Sequence, residues 1–153
     1  MDPKPIKRDK ALQGFSRDHH HSLLLCWKIR TGFSKGVSPE RIKAYADWMF
    51  ENHIRPHFDL EEKYMFPVLE AEHPLVKRAL TEHRRLTRLF HADQDIPKVL
   101  GQIEEELEQH IRFEERVLFQ EIQQRANAQE MAQIDKAHDH EKFQDNDRDP
   151  FWA

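Results

Sequence analysis

The 153 residues include one cysteine, four glycines and no surplus of positive charge. A single cysteine, Cys26, excludes an intramolecular disulfide and any metal site built from thiolates alone. Four glycines leave few positions for tight turns and favour long helices. Lys plus Arg number 24 against 28 Asp plus Glu, a net charge of −4. With no excess of cations to neutralise phosphates, a nucleic-acid partner is not expected. No apolar run approaches the roughly 18 residues that a membrane span takes, so no membrane association is expected. Met1 to Lys10 is charged, holds two prolines and lacks an apolar segment, so a secretory signal is not expected and a cytoplasmic location is. No alternating strand pattern of useful length is present. Histidine, by contrast, is abundant, with eleven copies.

Helical periodicity runs through most of the chain. Residues 1–10 are expected to form a leader, 11–137 a helical domain and 138–153 a tail. The first helix is predicted over about Leu12–Phe33, with Leu12, Phe15, His19, Leu23, Cys26 and Phe33 on one face. Ser38-Pro39-Glu40 is a strong helix start, a capping hydroxyl followed by proline and an acid. The second helix is predicted from there to about Glu70, with a kink at Pro56. A third covers Leu75–Ala92. A fourth opens at Asp95-Ile96-Pro97 and runs to about Arg125. A short extra helix is predicted over Gln129–Ala137, and the aromatic end Phe151-Trp152 is expected to dock on the body. Four amphipathic helices with short connections predict an all-α fold, an antiparallel up-and-down four-helix bundle.

The second and fourth helices share a segment. His57-Phe58-Asp59-Leu60-Glu61-Glu62-Lys63-Tyr64-Met65-Phe66 aligns with His110-Ile111-Arg112-Phe113-Glu114-Glu115-Arg116-Val117-Leu118-Phe119, with the His, both Glu and the final Phe identical. The first and third helices echo each other more weakly, Asp18-His19 against Glu82-His83. The chain is therefore expected to hold two helix pairs related by a pseudo-two-fold. At about 100° per residue, His57 and Glu61 lie about 40° apart, on a face with Phe50, Ile54, Tyr64 and Val68. Glu62 falls about 140° from His57, on the wet side. His110 and Glu114 share a face with Ile103, Leu107, Phe113 and Val117, and Glu115 points out. His83 lies among Val76, Ala79, Leu80, Leu86 and Phe90. Four histidines and two carboxylates thus sit on apolar stripes of four helices.

Burying an ionised carboxylate without a partner costs several kcal/mol. Glu61 and Glu114 facing one core should repel and raise each other's pKa. A cation between them removes the conflict. Neutral imidazole nitrogens and carboxylate oxygens suit iron, manganese or zinc. Four His and two Glu match two metals about 3.5–4 Å apart. A His–Glu pair at i, i+4 can clamp one ion, or the His can bind one metal while the Glu bridges.

Two copies of His-x-x-x-Glu-Glu, each followed by an aromatic residue (Phe66, Phe119), with one inward His on each of the first and third helices, resemble the hemerythrin family in its broad HHE cation-binding branch. The resemblance spans about residues 12–125. It implies a non-haem centre of two iron ions in a bundle of hemerythrin type, with manganese or zinc as other possible metals. The implied ligands are His19, His57, Glu61, His83, His110 and Glu114, both glutamates bridging. Oxygen-carrying hemerythrins place a second histidine four residues after the third-helix His, where this chain has Thr87, and end the fourth-helix motif with Asp five residues after its His, where the carboxylate here is Glu114, four after. With fewer histidines, both metals would keep an open position, and irreversible oxidation is expected rather than reversible O2 transport.

Several neighbours compete for roles. His20, beside Leu23, Leu24 and Trp27, is the alternative to His19. His53, one turn before His57, is a possible fifth ligand or outer group. His21, His138 and His140 are expected to be polar groups in contact with water. Tyr64 is expected in the core, and Cys26 as a small buried apolar residue. Glu62 and Glu115 are expected at the surface, or as acceptors for a ligating imidazole. The implied function is handling of iron with O2 or a related small molecule, such as nitric oxide or peroxide, in sensing, storage or stress protection. The alternatives are a di-iron oxidase or peroxide-consuming enzyme, and a helical interaction module with a structural metal.

Overall fold

The computed structural model describes residues 7–138 and 142–153, and no strand occurs among them. Helix α1 spans Lys10–Ser34, capped by the Asp9 side chain, which accepts from the Ala11 amide at 2.9 Å. It ends where Gly36 takes φ 72°, a left-handed value that glycine adopts without a Cβ penalty. Helix α2, Pro39–Met49, starts at Ser38 with proline in its first turn. The rod then continues through a π turn at Phe50–Ile54, α3 (Arg55–Leu60), a second π turn at Glu61–Met65 and a 3-10 turn at Phe66–Val68. Pro56, where a kink is expected, falls in the first turn of α3, directly after the π turn. Helix α4 is Pro74–His91, and α5 is Ile96–Phe113. A third π turn, Glu114–Leu118, joins α5 to α6 (Phe119–Arg125). Helix α7, Ala128–Ala137, opens with a reciprocal Asn127–Glu130 capping box.

Two apolar clusters make the core. One, around Phe50, holds Leu25, Ile29, Met49, Phe90, Leu100 and Leu107; the other, around Phe119, holds Leu12, Phe15, Met65, Val76 and Leu118. Along α1 the chain leaves the Phe119 cluster, passes His19 and enters the Phe50 cluster. Along the second rod that order reverses, with His57 and Glu61 at the crossing. It reverses again along α4, at His83, and along α5, at His110 and Glu114. The polar residues therefore form a layer between two dry ones.

The π turns displace some residues from their expected faces. In each, an amide donates to a carbonyl five residues back: Phe66 to Glu61, and Phe119 to Glu114. The wider turn inserts one extra residue into the face. Met65 and Leu118 are consequently fully buried, while Tyr64 and Val68 are half-buried and Val117 is 44% exposed. On α1, Leu23 is half-buried and Phe33 is 37% exposed, because Leu25, Cys26 and Ile29 carry the buried stripe there. The tail does dock. Phe151 is buried against Gly32, where an added Cβ would lie 2.9 Å from its ring. The buried Lys28 ammonium donates to Tyr45 Oη at 2.7 Å and to Asp145 at 2.5 Å, and lies 3.8 Å from the Trp152 ring centre. Among the described residues no helix is long and apolar enough to cross a membrane.

Candidate metal centre

Six side chains, one or two from each long rod, meet in the polar layer: His19 from α1, His57 and Glu61 from the second rod, His83 from α4, and His110 and Glu114 from the fourth. All six are buried, and both glutamates are wholly so. Their donor atoms fall into two groups. His19, His57, Glu61 and Glu114 each offer one atom within 4.8 Å of the others; so do His83, His110, Glu61 and Glu114. The two carboxylates are common to both.

Each imidazole turns its Nε2 toward this centre. His19 Nε2 lies 2.9 Å from Glu114 Oε1 and 3.1 Å from His57 Nε2. His57 Nε2 and His83 Nε2 are both 3.3 Å from Glu61 Oε1, and His110 Nε2 is 3.3 Å from Glu114 Oε2. Although they crowd together, both Glu61 oxygens, Glu114 Oε2, and the Nε2 atoms of His83 and His110 lack a hydrogen bond of acceptable geometry among the described residues. Buried polar atoms that converge without pairing are costly. A cation accepting all of them resolves the cost, so the donor set suits a divalent metal at each group.

The outer nitrogens are held in turn by carboxylates. His57 Nδ1 donates to Asp18 at 2.9 Å, His83 Nδ1 to Glu62 at 2.8 Å, and His110 Nδ1 to Glu82 at 2.7 Å. His19 Nδ1 lies 3.4 Å from Glu115 Oε2 without hydrogen-bond geometry, and that carboxylate accepts from Ser16 Oγ at 3.0 Å. These four pairs obey the internal repeat: the carboxylate before each α1 or α4 histidine serves the next rod, and the glutamate after each bridging position serves α4 or α1. Such contacts fix the tautomer and orientation of a ligating imidazole. Glu115 thus lies beside His19 as a nearby charge, and Glu62 acts as an acceptor for His83, both keeping partial contact with water. Asp18 and Glu82 have the same role, for which the only trace in the sequence was the echo between Asp18-His19 and Glu82-His83.

Electrostatics departs from the expectation for Glu114. Burial would raise Glu114, but His110, His19 and His83 hold it well below the ordinary carboxylate value. Burial disfavours a charged His57, yet Glu61 and Asp18 raise it to about 10. Against the same opposition, Glu114 and Glu82 raise His110 to about 9. His19 and His83 are also raised, burial being outweighed by Glu114 and its neighbours.

His20 is exposed, so the structure brings His19 inward rather than its neighbour. His53 belongs to neither group and packs against Trp48 and Phe143. Two residues expected in water are elsewhere. His21 stacks on Phe143 with ring centres 4.0 Å apart. His138 is buried, with Nε2 2.9 Å from Asp18 Oδ2. Both depend on the return of the tail over α1, which residue spacing does not encode. His140 lies outside the described residues. Cys26 is fully buried, and burial pushes its thiol up to about 12, so it is inert as a nucleophile. Thr87 is in neither group, and its hydroxyl donates to the His83 carbonyl at 2.8 Å.

The model of the hemerythrin HHE cation binding domain matches residues 11–96, which include His19, His57, Glu61 and His83 and end at the first residue of α5. No curated protein and no solved structure matches. A match over more than half the chain, with the repeat and the buried His/Glu groups extending the pattern into α5, identifies this protein as a member of the hemerythrin HHE cation-binding family.

Proposed function

We propose that this chain is a di-iron protein, with iron in two positions that share Glu61 and Glu114, and that it handles O2 or a related small molecule such as nitric oxide or peroxide in sensing, storage or stress protection. The observation that carries this reading is the pair of overlapping four-residue groups with both carboxylates in common. His19 and His57 would hold one ion, and His83 and His110 the other. The alternation of cluster order along successive rods supports an up-and-down antiparallel bundle over about residues 11–137, with α7 and the tail added to it.

Bound iron supplies one-electron chemistry and open positions for a small ligand. The protein's own residues supply the setting. Glu61 and Glu114 place negative charge between the two positions. Asp18, Glu62, Glu82 and Glu115 orient the imidazoles from outside, and the flanking apolar clusters exclude water from the layer.

A di-iron oxidase or peroxide-consuming enzyme is the second reading, favoured by the small histidine count: two per position, with Thr87 bound back to its own helix. Elemental analysis after anaerobic iron loading should give about two irons per chain. The visible spectrum followed through cycles of air and argon should reach an oxidised form that does not return without reductant. One zinc with no second site would defeat the di-iron reading. Full cycling would restore an oxygen carrier, and turnover of added peroxide would establish the enzyme. Unfolding on chelation with no reaction toward O2 or peroxide would instead mark a structural metal.

A further inference from the structure

The outer carboxylates of the two halves are held by different means. On α4, Glu82 accepts from His110 and also from Arg78 Nε at 3.0 Å, one turn earlier on the same helix. The repeat relates Glu82 to Asp18 and His83 to His19, an offset of 82 − 18 = 64 residues; the same offset relates Arg78 to Gly14. The first half therefore has no side chain where the second has a guanidinium. His138 occupies that space. A Cβ added at Gly14 would lie 2.6 Å from His138 Nδ1 and 2.7 Å from its Cε1. The imidazole comes from the end of α7 and places Nε2 2.9 Å from Asp18 Oδ2, the oxygen that also receives His57 Nδ1–H. The Phe15 ring packs edge-on to His138 at 4.8 Å and lies 5.7 Å from His57, so it braces both. A cavity of about 540 Å³ adjoins this group, bounded by Asp18, His57, His138 and the tail residue Phe143.

We propose that His138 is a positioning residue that replaces Arg78 in the other half: seated on Gly14, it holds Asp18 against His57, so docking of the C-terminal segment and metal affinity at the His19–His57 position are coupled, while the His83–His110 position is completed within α4. This rests on the two-position metal reading above. By linkage the coupling runs both ways: occupancy of the first position tightens the docking of α7 and the tail as much as docking tightens the metal.

The test is an anaerobic titration of the full-length protein with Co(II), followed by its visible bands against a competing chelator. Wild type should show about two equivalents. His138→Ala should weaken one of them by about 10- to 100-fold, the range for loss of an outer partner, and leave the other within about 3-fold. His138→Gln, which keeps a donor near the Nε2 position, should fall between. Adding Gly14→Arg to the His138→Ala chain supplies from α1 what Arg78 supplies from α4, and should restore the weakened equivalent. Equal weakening of both equivalents would reveal a general structural role and overturn the proposal, as would no change in either, or a folded double variant with no recovery. Should His138→Ala not fold, hydrogen exchange on the wild type decides. Slower exchange in residues 128–138 and 142–153 on loading supports the coupling, and unchanged exchange there defeats it. A wild type that binds fewer than two equivalents overturns the two-position reading itself, a failure visible before any variant is made.

Discussion

On the His83–His110 side of the centre, Phe58 lies nearly flat on the His83 ring, with centroids 3.8 Å apart, and Phe66 leans on the same ring from 5.4 Å. On the His19–His57 side the repeat places Ile111 where Phe58 stands. His19 has Phe119 stacked on it, at 5.1 Å, Phe15 lies 5.7 Å from His57, and the outer side of His57 adjoins a cavity and the tail. The inner donors of the two halves are alike, two imidazoles and the shared carboxylates. Their surroundings differ in part: one half has the added Phe58 ring stacked on His83 and its outer carboxylate Glu82 held from within α4, and the other meets His138 and the tail from the far end of the chain. The internal repeat accounts for the likeness. The difference comes from positions outside the six inward residues, Gly14 against Arg78 and Ile111 against Phe58.

The largest effect should come from what the halves share. Glu61→Ala or Glu114→Ala removes a carboxylate common to both groups and should abolish tight binding of both metals. The loss should exceed the roughly 100-fold that bounds a change in an outer partner. Metal content after gel filtration checks this. Retention of one full equivalent by either variant would show that the carboxylate serves a single position.

Next come the outer carboxylates, which separate the halves. Asp18→Asn should weaken only the His19–His57 position, and Glu82→Gln only the other, each by about 10- to 100-fold. Glu62→Ala and Glu115→Ala, acting on His83 and His19, should fall toward the lower end of that range, because both carboxylates remain in contact with water. Stepwise titration of the four variants would map each outer group to one equivalent. A uniform loss across the four would dissolve the distinction between the halves.

The buried His/Glu cluster was legible in the sequence because the repeat of His-x-x-x-Glu-Glu and the helical phase agree on which residues face inward. Five of the six inward residues follow from phase alone, and the choice of His19 over His20 rests on the neighbouring stripe of Leu12, Phe15 and Cys26. Two features were not legible. The π turns after Glu61 and Glu114 leave local propensity unchanged, so Tyr64 and Val117 were assigned faces that Met65 and Leu118 occupy. The partnership of His138 with Asp18 joins residues 120 apart in sequence through the course of the tail, and no periodicity carries that information. In the fold, helix boundaries followed from caps and prolines: the predicted start near Leu12 is Lys10, and the predicted end near Ala92 is His91.

Removal of metal should affect both halves together, with a dependence on pH. In the metal-free chain His57 and His110 are raised to about 10 and about 9 from an ordinary 6.5. A group raised in the folded state stabilises it fully below its unfolded value and ceases to do so as pH climbs through the folded one. Glu114, held below its ordinary 4.5, contributes above that value and loses its contribution as pH falls. The metal-free protein should therefore be most stable between about pH 4.5 and 6.5 and weaken toward pH 9 to 10. Metal binding requires neutral imidazoles, so its contribution grows as protons leave. The gap in Tm between loaded and chelated protein should widen from pH 6 to pH 9. A constant or shrinking gap would mean that the protons of the empty centre lie elsewhere.

The smallest expected effect concerns the aromatic wall. Phe58→Ile gives the second half the residue that the first half has at the corresponding position. It removes a ring stacked on His83 and leaves a modest void beside Leu86 and Ile111 in the same apolar cluster. Loss of the aromatic contact and incomplete collapse of the space should cost roughly 1–2 kcal/mol, read as a lower urea midpoint at an unchanged m-value. Metal affinity at the His83–His110 position should change by less than about 10-fold, because Glu62 still fixes the His83 tautomer through Nδ1. If Phe58→Ile weakens that position as much as Glu82→Gln does, the orientation of His83 depends on its stacked ring more than on carboxylate contacts. The two halves would then differ in how their ligands are held as well as in what seals them.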